Sequence, residues 1–383
     1  MKIVRVSTRD DLQSFARCGS DFAQHYGESF PKSVGSELRL WDPACNFFFG
    51  QQSEAIALLA VDGDVVLGRI AVFRHPMLTD SEPGTGLLGM FESAERDDVA
   101  TALLTEGCTI LRGWGCNRVA GPVDFSIWHQ YRFMTKGFGS YVLMGEPRNP
   151  EWYPLFWQQF GFTAAHHWTT FIYDHTALQP LPETLRTHEA LFRRLGYHSV
   201  LLTGMDDQIL MHQVHALLMP SYRTFPFYTP LTAEEFVKHY HYMPSLISKN
   251  TSFLLKNQLG EIMGFSLQYR DLNRAFKAMG TGTGFTSKLR FWLNRNKEEV
   301  AIIAQGGTTT HHSREAVELG LEKEGTPLSL GKVGLARSIQ LSVDVEKYSA
   351  YAITLVRDEA LHRKNIPQNT VETREYALFA MAL

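Results

Sequence analysis

Polar side chains that can exchange protons or bind charged groups are concentrated in the loop-like stretch of residues 121–132. Asp124, Ser126, His129, Tyr131 and Arg132 all fall there, directly after a short predicted strand. Functional groups are common in such loops because a rigid scaffold holds them while the backbone bends freely. His129 is a candidate general base and Asp124 a second catalytic candidate. Asp124 and Ser126 are equally typical of turns and caps, so both interpretations stay open.

A second concentration is aromatic, and it follows a predicted helix in the second half of the chain. Residues 222–228 have the sequence Tyr-Arg-Thr-Phe-Pro-Phe-Tyr. A stretch of aromatic rings stiffened by a proline suits an apolar or aromatic ligand, or a lid. Tyr222, Phe225 and Tyr228 are therefore candidate substrate contacts. Ordinary packing between two parts of the chain is the alternative interpretation.

Other suggestive patterns lack the residues that their chemistry requires. Gly280–Gly284 alternates Gly and Thr without the Lys-Ser/Thr pair of a phosphate-binding P-loop, which favours a flexible turn. His212 and His215 are three residues apart, and two further His-His pairs are adjacent in the sequence, at 166–167 and 311–312. Since no third ligand stands at a readable spacing, no metal site is predicted.

The stretch Lys288–Lys297 combines basic residues with Phe291, Trp292 and Leu293. We expect an amphipathic helix that rests on the body of the protein. The same stretch is the one place where the sequence offers a contact for a tRNA or an anionic carrier.

Composition excludes several classes of protein. The 383 residues include 37 Lys and Arg against 40 Asp and Glu, so the formal net charge is −3. Such a chain has no basic field for a dedicated nucleic-acid binder. The hydrophobic content of 44% with 20% charged residues is typical of a globular protein. No apolar run approaches the roughly 18–20 residues of a membrane span, and the charged N-terminus does not resemble a signal peptide. These features predict a soluble, cytoplasmic protein.

The four cysteines form no metal-binding or redox pattern. Cys18, Cys45, Cys108 and Cys116 include no Cys-x-x-Cys pair. Free cysteine behaves as a small hydrophobic residue, so we expect buried thiols.

An internal repeat predicts the architecture. Residues 56–73 alternate apolar and polar side chains around an Asp-Gly-Asp turn, which is typical of a β-hairpin. Residues 252–269 have the same pattern, and Gly68 and Gly264 take corresponding places 196 residues apart. The sequence therefore predicts a β-rich α/β chain of two similar modules in tandem.

Each hairpin is preceded by a strand and a helix and is followed by a strand, a helix and a further strand. In the first module the following elements are predicted at Gly86–Glu92, Asp97–Trp114 and Arg118–Ala120, and aspartates suit the first turn of that helix. In the second module we predict them at Leu330–Ala336, Val343–Arg363 and Glu375–Ala382.

The division into modules follows from these elements. The first module is predicted to span residues 1–175, a proline-containing linker residues 176–198, and the second module residues 199–383. The second module carries an expected insertion at about 284–329. It is also expected to lack the last helix and hairpin of a complete module.

This order of elements resembles the GNAT acyltransferase superfamily, and the first module is similar to a bacterial tandem-GNAT subgroup. The resemblance covers residues 1–175 well and residues 199–383 more loosely. The segments that carry it are Leu40–Phe49, Leu67–Ala71, Gly89–Ser93, Arg118–Ser126, Arg148–Pro154 and Phe160–Phe162.

The resemblance implies a mixed α/β fold of two tandem GNAT-like modules. Each would be a twisted, mostly antiparallel sheet flanked by helices, with a central strand that splays away from its neighbour. The pantetheine of an acyl-CoA lies in that cleft in such folds, and its pyrophosphate binds the N-terminus of the long helix. A carboxylate usually takes the proton of the acceptor amine, and a tyrosine protonates the leaving thiolate.

Catalytic roles in the first module follow from this resemblance. Glu92 ends the predicted central strand, where a family base can sit; a solvated strand end is the alternative. The position of the usual tyrosine is Trp157, which cannot act as an acid, so Tyr153 is the candidate unless it serves core packing. Ser126, Tyr131 and Arg132 would contact the substrate if the 121–132 loop lines the cleft. In these folds the Tyr222–Tyr228 region forms a wall on the acceptor side.

The resemblance places the donor in the second module. In the first module the pyrophosphate loop is replaced by residues 92–98, where four acidic residues surround one arginine and would repel phosphates. The second module has a degenerate loop whose candidate CoA-binding residues are Lys332, Val333, Gly334, Leu335, Arg337, Ser338 and Ser342.

The predicted function is the transfer of an acyl group from a CoA or carrier-protein thioester to an amine. Acetyl-CoA or another acyl-CoA would be the donor substrate, with no metal. A small-molecule amine is the expected acceptor, an acyl carrier protein a further partner, and no membrane partner is expected. One alternative is a Fem-like transferase that uses aminoacyl-tRNA. The other is a catalytically inactive GNAT-like module that binds a ligand or a protein.

Overall fold

A computed structural model describes most of the chain. The described residues are 1–25, 33–78, 83–174, 177, 192–193, 196–280, 282, 284–297, 299–308, 330–344, 348–360, 363 and 366–383, with the side chains of 308 and 330–333 not described. The His311-His312 pair and most of the predicted linker lie outside these residues. The module boundary near residue 175 therefore stays a prediction.

The first half of the chain contains seven strands and four helices within the described residues. The strands are β1 (Lys2–Arg5), β2 (Glu54–Asp62), β3 (Val65–Arg74), β4 (Thr85–Ser93), β5 (Arg118–Gly121), β6 (Phe133–Lys136) and β7 (Thr163–Asp174). The helices are α1 (Arg9–His25), α2 (Val34–Leu40), α3 (Asp97–Gly113) and α4 (Trp152–Phe160), with a 3-10 turn at Phe47–Gln51.

The second half repeats the order of strand, helices and hairpin. Its described strands are β8 (His198–Leu201), β9 (Phe253–Lys256), β10 (Ile262–Arg270), β11 (Val300–Thr308), β12 (Ala350–Arg357) and β13 (Glu372–Ala382). Its described helices are α5 (Asp207–Tyr222), α6 (Ala233–His239), α7 (Met243–Leu246), α8 (Asn273–Met279), α9 (Phe285–Asn294) and α10 (Leu330–Val343). Both predicted hairpins are confirmed, as β2 with β3 and β9 with β10.

The two halves exchange strands within one continuous sheet. The described strands follow the order β1-β2-β3-β4-β5-β13-β7-β12-β11-β10-β9-β8, with β6 beside β13. The last strand, β13, pairs antiparallel with both β5 and β7 of the first half. Strand β7 pairs in turn with β12 of the second half. Neither half therefore completes its sheet from its own sequence.

Helices cover both faces of this sheet because its buried strands are apolar on both sides. Phe15 and Cys18 of α1 pack in one core cluster with alternate residues of β2 and β3. Leu103 and Leu104 of α3 pack on the other face, together with Trp157 of α4. The first cluster continues into the second half through α5 and β10, so the two halves share a core.

Each half has a parallel strand pair that separates next to a β-bulge. In the first half β4 pairs with β5 only from Thr85 to Leu87, and two residues of β4, Met90 and Phe91, oppose Ile70 of β3. In the second half β11 pairs with β12 from Val300 to Ile303, and Ala304 is the extra residue opposite β10. A bulge bends its strand and increases the local twist, so it turns each central strand away from its parallel neighbour.

The strand predicted at Glu375–Ala382 is confirmed as β13, but three other elements beyond β10 differ from the prediction. Helix α10 occupies Leu330–Val343, where we predicted a strand followed by a helix start, and strand β12 lies within the predicted helix. Strand β11 lies within the segment 284–329 that was predicted as an insertion. The prediction failed because the Ser-Ala-Tyr-Ala-Ile-Thr-Leu-Val run of β12 was taken as helical, although its β-branched and aromatic residues favour a strand.

No helix among the described residues is long and apolar enough to cross a membrane. The four cysteines are free thiols as predicted, and all except the partly exposed Cys45 are buried.

Candidate functional site

The loop that follows β5 fills the gap between β4 and β5. The backbone N–H of Val123 donates to the carbonyl of Leu88 at 2.8 Å, and the Asp124 carboxylate accepts from the Met90 N–H at 2.6 Å. A Cβ on Gly89 would lie 2.2 Å from the Val123 carbonyl oxygen, so glycine permits this close approach. Two hydrogen-bonding groups of β4 beyond its pairing with β5, the Leu88 carbonyl and the Met90 N–H, are thus occupied by the chain itself.

A half-open cleft lies beside this loop at the end of β4. It encloses about 380 Å³ of empty space, part of which is continuous with solvent. Its polar lining residues are Glu92, Asp124, Gln130, Tyr131, Arg132, Arg148, Asn149 and Tyr153. The structure therefore brings together five predicted site residues and adds Gln130, Arg148 and Asn149, which the sequence did not single out as site residues.

Glu92 and Tyr153 are held by a buried polar cluster at one side of the cleft. The Tyr153 hydroxyl donates to Glu92 at 2.9 Å and accepts from the Ser93 N–H at 3.0 Å. Burial, with the Glu92 charge as the second cause, raises the pKa of Tyr153 well above its ordinary value. The hydroxyl is therefore protonated and already committed to two partners.

Arg69 of β3 supplies the positive charge of this cluster. Its guanidinium lies 2.6 Å from Glu37 and 3.5 Å from Glu92, and its side chain is 1% exposed. A Cβ on Gly19 of α1 would lie 2.0 Å from the guanidinium, so only glycine leaves room for it there. This cluster was not predicted from the sequence, although its signal was a charged residue, Arg69, within the apolar strand β3.

His129 and Ser126 lie in the core rather than in the cleft. The Ser126 hydroxyl is buried between the His129 ring nitrogen Nδ1 at 3.1 Å and the Trp128 N–H at 3.3 Å. The His129 ring packs against Phe47 and His239 at centroid distances of 5.2 and 4.7 Å. Burial, followed by repulsion from His239, lowers the pKa of His129 well below its ordinary value. A buried, weakly basic imidazole does not fit the predicted role of general base.

Trp128 anchors the loop of the first half to the second half. Its indole N–H donates to the Thr229 carbonyl at 2.7 Å, and its own carbonyl accepts from the Tyr240 hydroxyl at 2.6 Å. Its ring packs against Tyr222 and Tyr228 at 5.6 and 5.8 Å. These contacts match the packing alternative for the aromatic segment.

The same aromatic segment continues to the splayed pair of the second half. Phe225 stacks on Tyr222 at 4.4 Å and lies under the Arg357 guanidinium of β12 at 5.1 Å. Burial is the main cause that raises the pKa of Tyr222, whose hydroxyl is hydrogen-bonded by Gln305 of β11. Tyr269 also donates to Gln305, at 3.1 Å. The aromatic segment therefore borders the gap between β11 and β12.

The gap between β11 and β12 differs from the one in the first half. Beyond Ile303, β11 stays with β10, and beyond Ile353, β12 stays with β7. Leu355 adopts a positive φ of 54°, and its N–H donates to the Thr170 hydroxyl. Within the described ranges, no backbone hydrogen bond joins a further segment to Ala304–Thr308 on the side of β12.

Helix α10 places the predicted CoA-binding residues in different environments. The hydroxyl of Ser338 faces Ser266 of β10, and that of Ser342 donates to Gln268 of β10, so neither faces a phosphate. Leu335 is buried in the core, and Gly334 lies against Leu255. Arg337 is half-buried. Of Lys332 and Val333 only the backbone is described, in the first turn of the helix.

The described residues contain no group of three or more His, Cys, Asp or Glu side chains placed to hold a metal ion. In the helix pair His212 and His215, the His215 ring is hydrogen-bonded to the Leu231 carbonyl at 2.8 Å.

Structural comparison identifies the fold. A tandem GNAT protein from the clavulanic acid biosynthesis pathway aligns with a TM-score of 0.51 at 10% identity, covering 100% of this chain and 98% of that protein. A probable N-acyltransferase of unknown function from Enterococcus faecalis also aligns with a TM-score of 0.51, at 7% identity, covering 100% of this chain and 72% of that one. No protein-family model and no curated protein sequence matches. The chain has the tandem GNAT-like fold that its sequence predicted.

The buried cluster gives a direct test of its structural role. Replacing Arg69 with Met leaves Glu37 and Glu92 buried without their cation, so we expect a loss of about 3–5 kcal/mol in the free energy of unfolding. Arg74→Met is the matched control on the same strand, since its pair with Glu54 is nearly half exposed and is worth about 0–1 kcal/mol. Urea unfolding at pH 7 measures both variants, and equal losses would contradict the assignment.

Proposed function

We propose that this tandem GNAT-like protein is an acyltransferase that moves an acyl group from a CoA thioester to a small-molecule amine. The donor would bind between β11 and β12 of the second half. The contrast between the two splayed strand pairs supports this proposal most directly. The first pair is closed by its own loop, whereas the described part of the second pair has no such segment beside Ala304–Thr308.

Unpaired backbone groups are what a pantetheine arm needs. Its two amides can hydrogen-bond to a strand edge in the manner of an added β-strand. Ala304–Thr308 of β11 carries such an edge beyond the bulge, and Gly306 and Gly307 present no large side chain there. In the first half the corresponding N–H of Met90 already binds Asp124.

The helix that follows each central strand gives a second difference. Asp97 and Asp98 occupy the first turn of α3, where they would repel a pyrophosphate. No acidic residue lies in the first turn of α10, and its sequence there is Leu-Gly-Lys-Val. Free N–H groups and the dipole of a helix N-terminus favour anions, so α10 is the better end for the pyrophosphate.

The proposed reaction is a direct transfer. The neutral amine nitrogen attacks the thioester carbonyl carbon, a C–N bond forms and the C–S bond breaks. The nitrogen loses one proton and the departing thiolate takes one, so the protons balance. Tyr222 suits the last step better than Tyr153, because Tyr222 borders the β11–β12 gap through Gln305 and its raised pKa keeps it protonated. Tyr153 remains committed to Glu92 and Ser93 in the other half.

Isothermal titration with acetyl-CoA tests the donor site. Wild-type protein should bind, and Lys332→Glu should weaken binding at least about tenfold, because an acid in the first turn of α10 repels the pyrophosphate. Lys277→Glu is the matched control, since it makes the same charge change at an exposed site of α8. Arg337→Glu, farther along α10, tests how far the site extends.

Two outcomes would contradict the donor site. Absence of binding by the wild-type protein up to about 1 mM, the range of a 4 kcal/mol interaction, would exclude a CoA donor. Unchanged affinity in Lys332→Glu would exclude the N-terminus of α10.

A further inference from the structure

Arg132 lines the cleft of the first half with a buried guanidinium. Its side chain is 8% exposed and lies between two aromatic rings, 4.0 Å from the centroid of Tyr131 and 4.7 Å from that of Trp168. Its Nε and Nη1 atoms are buried and have no acceptor among the described residues. The residue lines the cleft together with Arg148.

Glu146 is an acidic residue whose charge acts on Arg132, and its Oε2 atom is bound to another cation. Glu146 accepts from Arg374 at 2.5 Å and from the Leu143 N–H at 3.1 Å, and Arg374 also pairs with Glu372 at 2.7 Å. An arginine in a protein does not lose its proton, so the guanidinium keeps its charge and five donors. Burial, the largest cause, lowers the pKa of Arg132.

We propose that Arg132 binds the carboxylate of an acceptor of the amino-acid class. A planar guanidinium donates two parallel hydrogen bonds to a carboxylate, and the rings of Tyr131 and Trp168 fix its plane. The carboxylate of Asp124 lines the same cleft and accepts from the Met90 N–H, and it has the acceptor capacity to meet an ammonium group as well. The cleft thus offers both charges of a zwitterion. This inference names the acceptor of the proposed transferase and rests on that function.

A comparison of amino acids with their amides isolates the contribution of the carboxylate to binding. We would measure the melting temperature of the full-length protein with each proteinogenic amino acid at 10 mM, and with L-amino acid amides as probes without the carboxylate. At least one amino acid should raise the melting temperature by about 2 °C or more, whereas its amide should not. Inorganic phosphate should also have no effect.

Variants at Arg132 assign the effect to its guanidinium. Arg132→Met should abolish the rise and should not lower the melting temperature of the free protein, because it removes a buried cation without a close anion. Arg132→Lys keeps the charge and should retain part of the rise. This variant replaces Arg132→Met in the test if Arg132→Met does not fold. Arg74→Met, at an exposed arginine, should respond as the wild type does.

Several results would overturn this inference. They are no response to any amino acid, equal responses to acid and amide, a response to phosphate alone, or an unchanged response in Arg132→Met. The measurement uses no CoA, so a failed acetyl-CoA titration with an intact amino-acid response would reject only the donor proposal.

A second observation, independent of the cleft, concerns the exposed face of α9. Phe285, Leu289, Trp292 and Leu293 are all exposed, Phe285 by 80% and Trp292 by 57%. At 100° per residue they fall within an arc of about 100°. Phe291 points the other way and packs on Phe276 of α8 at 5.0 Å. The expected helix is therefore present, but most of its apolar side faces outward.

Basic residues border this apolar arc on both sides. By the same helical spacing, Lys288 flanks one edge of the arc and Arg290 the other, and the exposed Arg295 and Lys297 follow the C-terminus of α9. No acidic residue lies in Phe285–Lys297. Since the whole chain has a net charge of −3, this concentration of positive charge is local.

We propose that α9 binds the surface of an anionic lipid bilayer. A helix with Trp, Phe and Leu on one face and cations at its edges inserts its apolar side at the level of the headgroups, where the cations meet anionic lipid. The arrangement matches a surface contact and not a membrane span. It differs from the sequence-based expectation of no membrane partner.

Vesicle sedimentation with the full-length protein tests this surface. Vesicles of phosphatidylcholine with about 30% phosphatidylglycerol should pellet the protein, pure phosphatidylcholine should not, and 0.5 M salt should release it. The double variant Trp292→Glu, Leu293→Glu should reduce the bound fraction about tenfold. Leu259→Glu is the control, because Leu259 is 83% exposed in the β9–β10 turn.

Failure to sediment with anionic vesicles would overturn the proposal. Equal loss in Leu259→Glu and the double variant would do the same, as would binding of tRNA or an acidic carrier protein through α9 in place of vesicles.

Discussion

Strand β13 joins the two halves of the molecule, and both splayed strand pairs depend on it. It lies between β5 and β7 of the first half, although it is the last strand of the chain. By separating these two strands it leaves β7 to pair with β12. Strand β12, on one side of the second gap, is therefore paired with β7 of the first half. Strand β5, on one side of the first gap, is paired with β13 of the second half. Each half needs the other to hold its central strand open.

The two gaps arise from the same backbone feature, a β-bulge. Only the gap of the first half is filled by a described loop. Bulges at Met90–Phe91 and at Ala304 turn each central strand away from its parallel neighbour. In the first half Asp124 caps the freed Met90 N–H. Trp128 of the same loop then ties it to Thr229 and Tyr240 of the second half. The loop that closes one gap thus also positions the aromatic segment that borders the other. Such a division suits a protein in which one half binds the donor and the other contributes the acceptor side.

Much of the fold was predictable because it depends on local patterns. Both hairpins, α1, α3 and β4 follow from periodicity, turn residues and charges at helix ends. Beyond β10, α9 and β13 were predicted, but β11, α10 and β12 were not. The chain departs there from the repeat, and the apolar Leu330–Ala336 run is compatible with a strand or a buried helix. The strand exchange could not be predicted either, since alternation identifies a strand but not its partner.

The candidate site was predictable in its position more than in its chemistry. The 121–132 loop does line a cleft, and Glu92 and Tyr153 do meet there. The environments of single residues could not be predicted where they depend on long-range packing. His129 is buried against His239, 110 residues away, and the hydroxyls of Ser338 and Ser342 face β10. The Arg69 cluster joins α1, α2, β3 and β4, which no local pattern brings together.

Hydrogen–deuterium exchange with and without acetyl-CoA tests the central claim most directly, that the gap of the second half is the one that takes the donor. We expect acetyl-CoA to slow exchange in peptides covering Ala304–Thr308 and Thr354–Arg357, because the pantetheine arm would pair with backbone amides there. Peptides covering Leu88–Ser93 should not change, since Asp124 and Val123 already occupy that strand. Protection at Leu88–Ser93 without protection at Ala304–Thr308 would contradict the account.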